Sequence, residues 1–145
     1  HNGNGVSQWN RLVLITPANY YYEVMSRFLF YIAFGGVLGS ISRFYISYLF
    51  QHYKLSFALG TFIPNIVGCL LIGFFYSFAQ NFESFSQEIR YIGIVGFCGS
   101  FTTFSSFSYE NITYLQSGNY KIFVSYFLLS SILGLISVVI GMKIC

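Results

Sequence analysis

The chain has 145 residues, 55% of them hydrophobic, 22% aromatic and only 8% charged, so it cannot build a water-soluble surface of ordinary charge density. Its formal charge of +3 comes from seven basic residues scattered singly, which excludes the clustered basic face of a nucleic-acid binder. Two histidines and three cysteines without CxxC spacing leave nothing from which to assemble a zinc site, a disulfide framework or a nucleophile–base pair, so no enzyme is expected.

Residues 1–24, HNGNGVSQWNRLVLITPANYYYEV, lack the basic start, long apolar stretch and small-residue cleavage site of a signal peptide and match no membrane pattern. Met25 reads as a start, with residues 1–24 as an upstream extension and residues 25–145 as one four-helix transmembrane domain. Hydrophobic runs lie at 28–50, 57–78, 89–114 and 122–142, each long enough for the ~20 residues that a membrane helix needs. Their connections, QHYKLS, AQNFESFSQE and QSGNYK, are short and polar, which predicts a compact antiparallel bundle with both termini on one side. Arg27, Arg90 and Lys143 then lie toward one side and Arg43, Lys54 and Lys121 toward the other. This balance leaves two outcomes open: Arg27 alone orients the chain, or the chain inserts both ways up.

The first span carries GGVLGS, in which Gly35 and Gly39 form a GxxxG pair; Gly60, Gly68 and Gly73 follow in the second span and Gly134 and Gly141 in the fourth. Lipid tails give helices no hydrophobic reason to associate, so small residues that let backbones approach signal tight packing rather than chemistry. Asn65 is more selective, because it puts an amide in the middle third of the second span directly after Pro64, which removes a backbone donor and can free a carbonyl near that amide. Arg43 and Glu110 sit toward span ends, where snorkelling or pairing is the default expectation. The sequon Asn111-Ile112-Thr113 is too short a pattern to carry weight.

The third span contains GFCGSFTTFSSFSYE, four phenylalanines interleaved with hydroxyl residues and bounded by a single charge. Gly96 and Gly99 followed by the β-branched pair Thr102 and Thr103 make helix intrinsically weak here, so a break near the centre of the span is expected. Unwound backbone at membrane depth is tolerated where protein buries it or where it lines an aqueous cavity, and its carbonyls can then coordinate a cation. Beyond the break, Phe104 and Phe107 fall near one helix face with hydroxyls around them. Positive ring edges, hydroxyls and the Asn65 amide could together hold a small anion weakly enough to release it. The plainer alternative is packing phenylalanines, with each hydroxyl bonded to the carbonyl one turn earlier.

GGVLGSISRF, GTFIPNIVG and GFCGSFTTFSSFSYE resemble, in order, the three signature segments of the Fluc, or CrcB-type, fluoride channels, and the likeness covers residues 25–145. The resemblance implies an all-α membrane protein with four transmembrane helices and a break in the third, assembled as an antiparallel dual-topology homodimer in a microbial plasma membrane. It also implies fluoride as the permeant ion and a central structural sodium (Na+) held by backbone carbonyls of Gly99 and Thr102 from both subunits. Phe104 and Phe107 would be the aromatic lining, Asn65 the pore amide, and Thr103, Ser105 and Ser106 the polar track, with Arg43 and Glu110 matching charged motif positions and Tyr126 a further pore-facing candidate. Ser106 stands where the family usually has threonine, and Pro64 where a small or aliphatic residue is expected, which leaves the orientation of Asn65 open. The rival reading, a small proton-coupled multidrug exporter, needs a carboxylate deep in an early span, and the first two spans have none. A non-transporting assembly subunit would explain the glycines but not the third span.

Overall fold

The computed structural model describes residues 18–53, 58–82 and 86–144, and these are helical apart from short connections. Helices α1 (Ala18–His52) and α2 (Leu59–Asn81) are followed by a short α3 (Ser86–Ile89) that runs into a π-helical stretch, Arg90–Cys98. Then come α4 (Gly99–Phe101), α5 (Phe104–Gln116) and α6 (Tyr120–Lys143). The chain divides into two units, His1–Phe30 and Tyr31–Cys145. In the first, the described part is the start of α1, where Ser26 Oγ donates to the Glu23 carbonyl at 2.9 Å and Tyr20, Tyr22 and Met25 are exposed.

Helix α1 begins ten residues before the expected position 28, because no proline or glycine interrupts the sequence between Pro17 and Gly35. Its 35 residues extend about 50 Å at 1.5 Å per residue, more than the ~30 Å of a hydrocarbon core. Residues 1–17, and Lys54 among the charges weighed for orientation, lie outside the described residues.

Among the described residues three helices, α1, α2 and α6, are long and apolar enough to cross a membrane. Leu128, Leu135 and Ile136 of α6 are exposed while Gly134, Ser137 and Gly141 are buried, the reverse of a water-soluble helix. Helix α2 packs most extensively on α6. At their crossing a Cβ on Gly73 would overlap the Val138 carbonyl, and one on Gly141 would overlap the Leu70 carbonyl. The GxxxG pair of α1 works in the same way against the third segment, Gly35 facing the Ile92 carbonyl and Gly39 the Phe97 carbonyl.

In the third segment the chain leaves the helix at Thr102 (φ −86°, ψ 156°) and Thr103 (φ −147°, ψ 114°), both extended, and re-enters it at Phe104. The interruption therefore falls on the threonines and not on the glycines named with them. Gly99 keeps right-handed helical angles, and Gly96 lies within the π-helical stretch, with its Cβ position 3.0 Å from the Gly35 Cα. Gly96 is thus a contact residue, and β-branching at 102 and 103 coincides with the break. The wider π-helical winding has a direct sign in the Gly99 N–H, which reaches back to the Ile94 carbonyl.

Candidate functional site

The break is held by side chains of this chain. Asn65 Oδ1 accepts from the Thr103 N–H at 2.8 Å, and Asn65 Nδ2 donates to the Thr103 carbonyl at 3.2 Å, so one side chain replaces both helical partners of one residue. The orientation of Asn65 next to Pro64 is therefore defined: its amide grips the unwound peptide and keeps one N–H over. Pro64 does free a carbonyl, but it is that of Gly60, four residues earlier, and Ser47 Oγ takes it at 3.0 Å, not the Asn65 amide.

Thr102 closes the preceding helical turn by donating both its N–H (3.0 Å) and its Oγ1 (2.9 Å) to the Cys98 carbonyl. Thr103 caps α5, its Oγ1 accepting from the Ser106 N–H at 3.2 Å while also meeting Ser105 Oγ at 3.1 Å and Ser106 Oγ at 3.2 Å. Of these hydroxyls, then, only that of Thr102 bonds the carbonyl one turn back; those of Thr103, Ser105 and Ser106 form a cluster with each other.

Several carbonyls lose their α-helical donors as a result. The Thr103 N–H, which would serve Gly99, goes to Asn65, and the Ser106 N–H, which would serve Thr102, goes to Thr103 Oγ1. Arg43 Nε donates to the Ser100 carbonyl at 3.1 Å and so caps the end of α4 from α1. Of the two expectations for Arg43, snorkelling or pairing, this contact is a pairing, made with backbone, since an orphan carbonyl at a helix end is a good partner for a guanidinium.

For Glu110 the paired alternative holds and not the snorkelling one: it is 3% exposed and accepts from Thr61 Oγ1 and, at 2.7 Å, from the Tyr126 hydroxyl. A buried carboxylate requires such donors. Tyr126 is itself buried, its ring 5.2 Å from that of Phe107. Phe107 is 8% exposed and touches Tyr126, Phe127 and Phe104, whereas Phe104, only 6.0 Å away ring to ring, is 80% exposed.

Two cavities flank the break. One, of about 410 Å³, is lined by Arg43, Thr61, Ser105, Ser106, Tyr109 and Glu110, among others. The other, of about 290 Å³, is lined by Asn65, Thr102, Thr103, Phe104, Phe107 and Ser130, among others. A larger hollow of about 560 Å³ along Phe74, Phe75, Phe78 and Ile92 is almost wholly apolar and has little with which to hold an ion. The sequence reading did not select Thr61, Ser47 or Ser130. Spacing could have found two of them, since Thr61 lies four residues before Asn65 and Ser130 four after Tyr126, on the same helix faces.

Residues 30–142 match the family described as CrcB-like protein, Camphor Resistance (CrcB). The chain belongs to the CrcB family. A protein named fluoride-specific ion channel FluC from Bacteroides fragilis is 45% identical over 118 residues, covering 78% of this chain and 91% of that relative. One of the same name from Flavobacterium psychrophilum is 42% identical over 117 residues, 80% and 94% of the two chains, and one from Leptospira interrogans is 42% identical over 112 residues, 76% and 87%. As a CrcB-family chain with three helices of membrane-crossing length, it is a multi-pass protein of the cell membrane.

Proposed function

We propose that this chain is a fluoride-selective channel through which cytoplasmic fluoride leaves the cell passively, lowering its toxicity. It is a channel and not an enzyme. The names of its relatives supply the ion, and the observation that carries the chemistry is the interrupted helix pinned by Asn65, with the ring-lined cavity on one side and the hydroxyl-rich cavity on the other. Fluoride is small and strongly hydrated, so a pore must replace its water with many modest donors and still let it go. The remaining Asn65 N–H, the hydroxyls of Thr103, Ser105 and Ser106, and the edges of Phe104 and Phe107 are such donors. No pump is required, because an inside-negative potential favours anion exit by about 2.3 kcal/mol per 100 mV.

In this reading the third segment is also a crossing, the third of four, and a composite of α3, the π-helical stretch, α4 and α5. Two copies join antiparallel, each inserted the opposite way up, consistent with the even division of charges. An 80% exposed phenylalanine beside the break is the kind of surface a second copy would cover. Sodium would be held by the Gly99 and Thr102 carbonyls. Their fit rests on two points: both have lost their helical donors, and among the described residues no cluster of three or more His, Cys, Asp or Glu offers a different donor set. Carbonyl oxygen suits a hard cation, whose charge would steady the junction between the helix ends.

A fluoride electrode following efflux from liposomes that hold the purified protein tests the reading. Fluoride should leave well above the rate of empty vesicles while chloride stays behind. Equal loss of both ions, or none of either, would overturn it. The exporter reading gains nothing from the structure, since the buried carboxylate, Glu110, lies in the third segment and is tied down by Thr61 and Tyr126.

A further inference from the structure

Pro64 is a costly residue to bury inside a helix. It is among the least exposed side chains of the protein, below 2%, and stands at the sixth position of α2, where its nitrogen cannot donate to the Gly60 carbonyl and its ring pushes that carbonyl aside. The residues on either side of this defect are functional ones. Thr61, next to Gly60, bonds Glu110, and Asn65, next to Pro64, grips both polar groups of Thr103. A small rotation of this turn would move both.

Helix α1 meets the defect with a hydroxyl. Ser47 Oγ donates to the Gly60 carbonyl at 3.0 Å, and the two backbones lie side by side, the Cβ position of Gly60 falling 3.4 Å from the Ser47 Cα, an ordinary van der Waals distance. One turn earlier on α1, Arg43 donates to the Ser100 carbonyl, which the break has orphaned. Neighbouring side chains of one helix thus supply donors to carbonyls released by two separate irregularities, one in α2 and one in the third segment.

We infer that Ser47 is a positioning residue for the break: its hydroxyl takes the place of the backbone donor that Pro64 lacks and so fixes the turn of α2 that carries Thr61 and Asn65. Because the inference rests on the fluoride reading, its test must separate the two. Ser47 also borders the polar cavity, which offers a competing explanation for any loss of flux, namely that the hydroxyl touches the ion.

A double-mutant cycle in liposomes decides between them. Ser47→Ala should lower fluoride efflux about tenfold, the factor corresponding to 1.4 kcal/mol, a typical cost of leaving one buried carbonyl without a donor. Ser47→Thr, which keeps the hydroxyl, should stay within about threefold of the unsubstituted protein. Pro64→Ala restores the helix's own N–H, so Pro64→Ala alone should conduct normally and Ser47→Ala with Pro64→Ala should recover to the same level. A double variant as slow as Ser47→Ala overturns the inference, because a hydroxyl that touches the ion cannot be replaced by an N–H inside α2. If Ser47→Ala does not fold, folding of the double variant supports the coupling and failure of both refutes it. Should the unsubstituted protein carry no fluoride, the proposed function falls, and thermal unfolding of the same four proteins in detergent still reads whether the two substitutions are non-additive.

Discussion

Around Gly73 and Gly141 and around Thr102 and Thr103, backbone meets neighbouring helices in opposite ways. At the α2–α6 crossing each glycine faces the carbonyl of the opposing helix, and regular helix continues through the contact. At the threonines the chain leaves the helix, and its peptide groups are handed to Asn65, to the cap of α5 and, by way of Ser100, to Arg43. The first contact is strong because nothing polar is offered to the surroundings. The second is useful because some oxygens and donors remain on offer. A membrane protein needs both, since only a scaffold that does not yield can hold an opened backbone in place.

Substitutions that fill, empty or unpair these two regions should separate them by size of effect. Gly73→Leu sets a side chain against the Val138 carbonyl, where backbone cannot give way, and should abolish a monodisperse folded protein on size-exclusion chromatography. Next comes the ring pair. Phe107→Ala empties a buried site and should cost about 3–5 kcal/mol on unfolding, while Phe104→Ala, on an exposed ring, should leave the stability of the isolated chain within about 0.5 kcal/mol yet cut fluoride efflux sharply. Equal stability losses for the two would contradict the division between a packed and a presented ring. Asn65→Ala should cost about 1–3 kcal/mol by unpairing the Thr103 N–H and carbonyl, with efflux falling toward the empty-vesicle rate. A smaller loss than for Asn65→Ala is expected for Thr103→Val, which keeps the shape and removes the cap of α5, about 1 kcal/mol in a thermal melt.

Much of this arrangement could be seen in the residues alone, for reasons that differ from place to place. Apolar length located the helices, and glycine spacing located their contacts, because both are local properties of the chain. The weakness near Thr102 and Thr103 was legible too, though the neighbouring glycines drew more weight than they carry: Gly96 serves a contact with Gly35, a partner distant in the chain that no local pattern reveals. The partners of Glu110 were hidden for a similar reason. Its position near a span end left snorkelling and pairing both open, and only the folding of α2 and α6 against α5 brings Thr61 and Tyr126 to it. The π-helical winding of Arg90–Cys98 has no sequence signature of its own.

Asn65 holds the Thr103 peptide with both of its polar atoms, and the clamp is built from the protein's own groups. A pathway whose gap is wired open in this way does not have to melt and rebuild a helical turn for every particle that goes by. In the proposed channel such a gap works as an aperture and not as a rocking carrier.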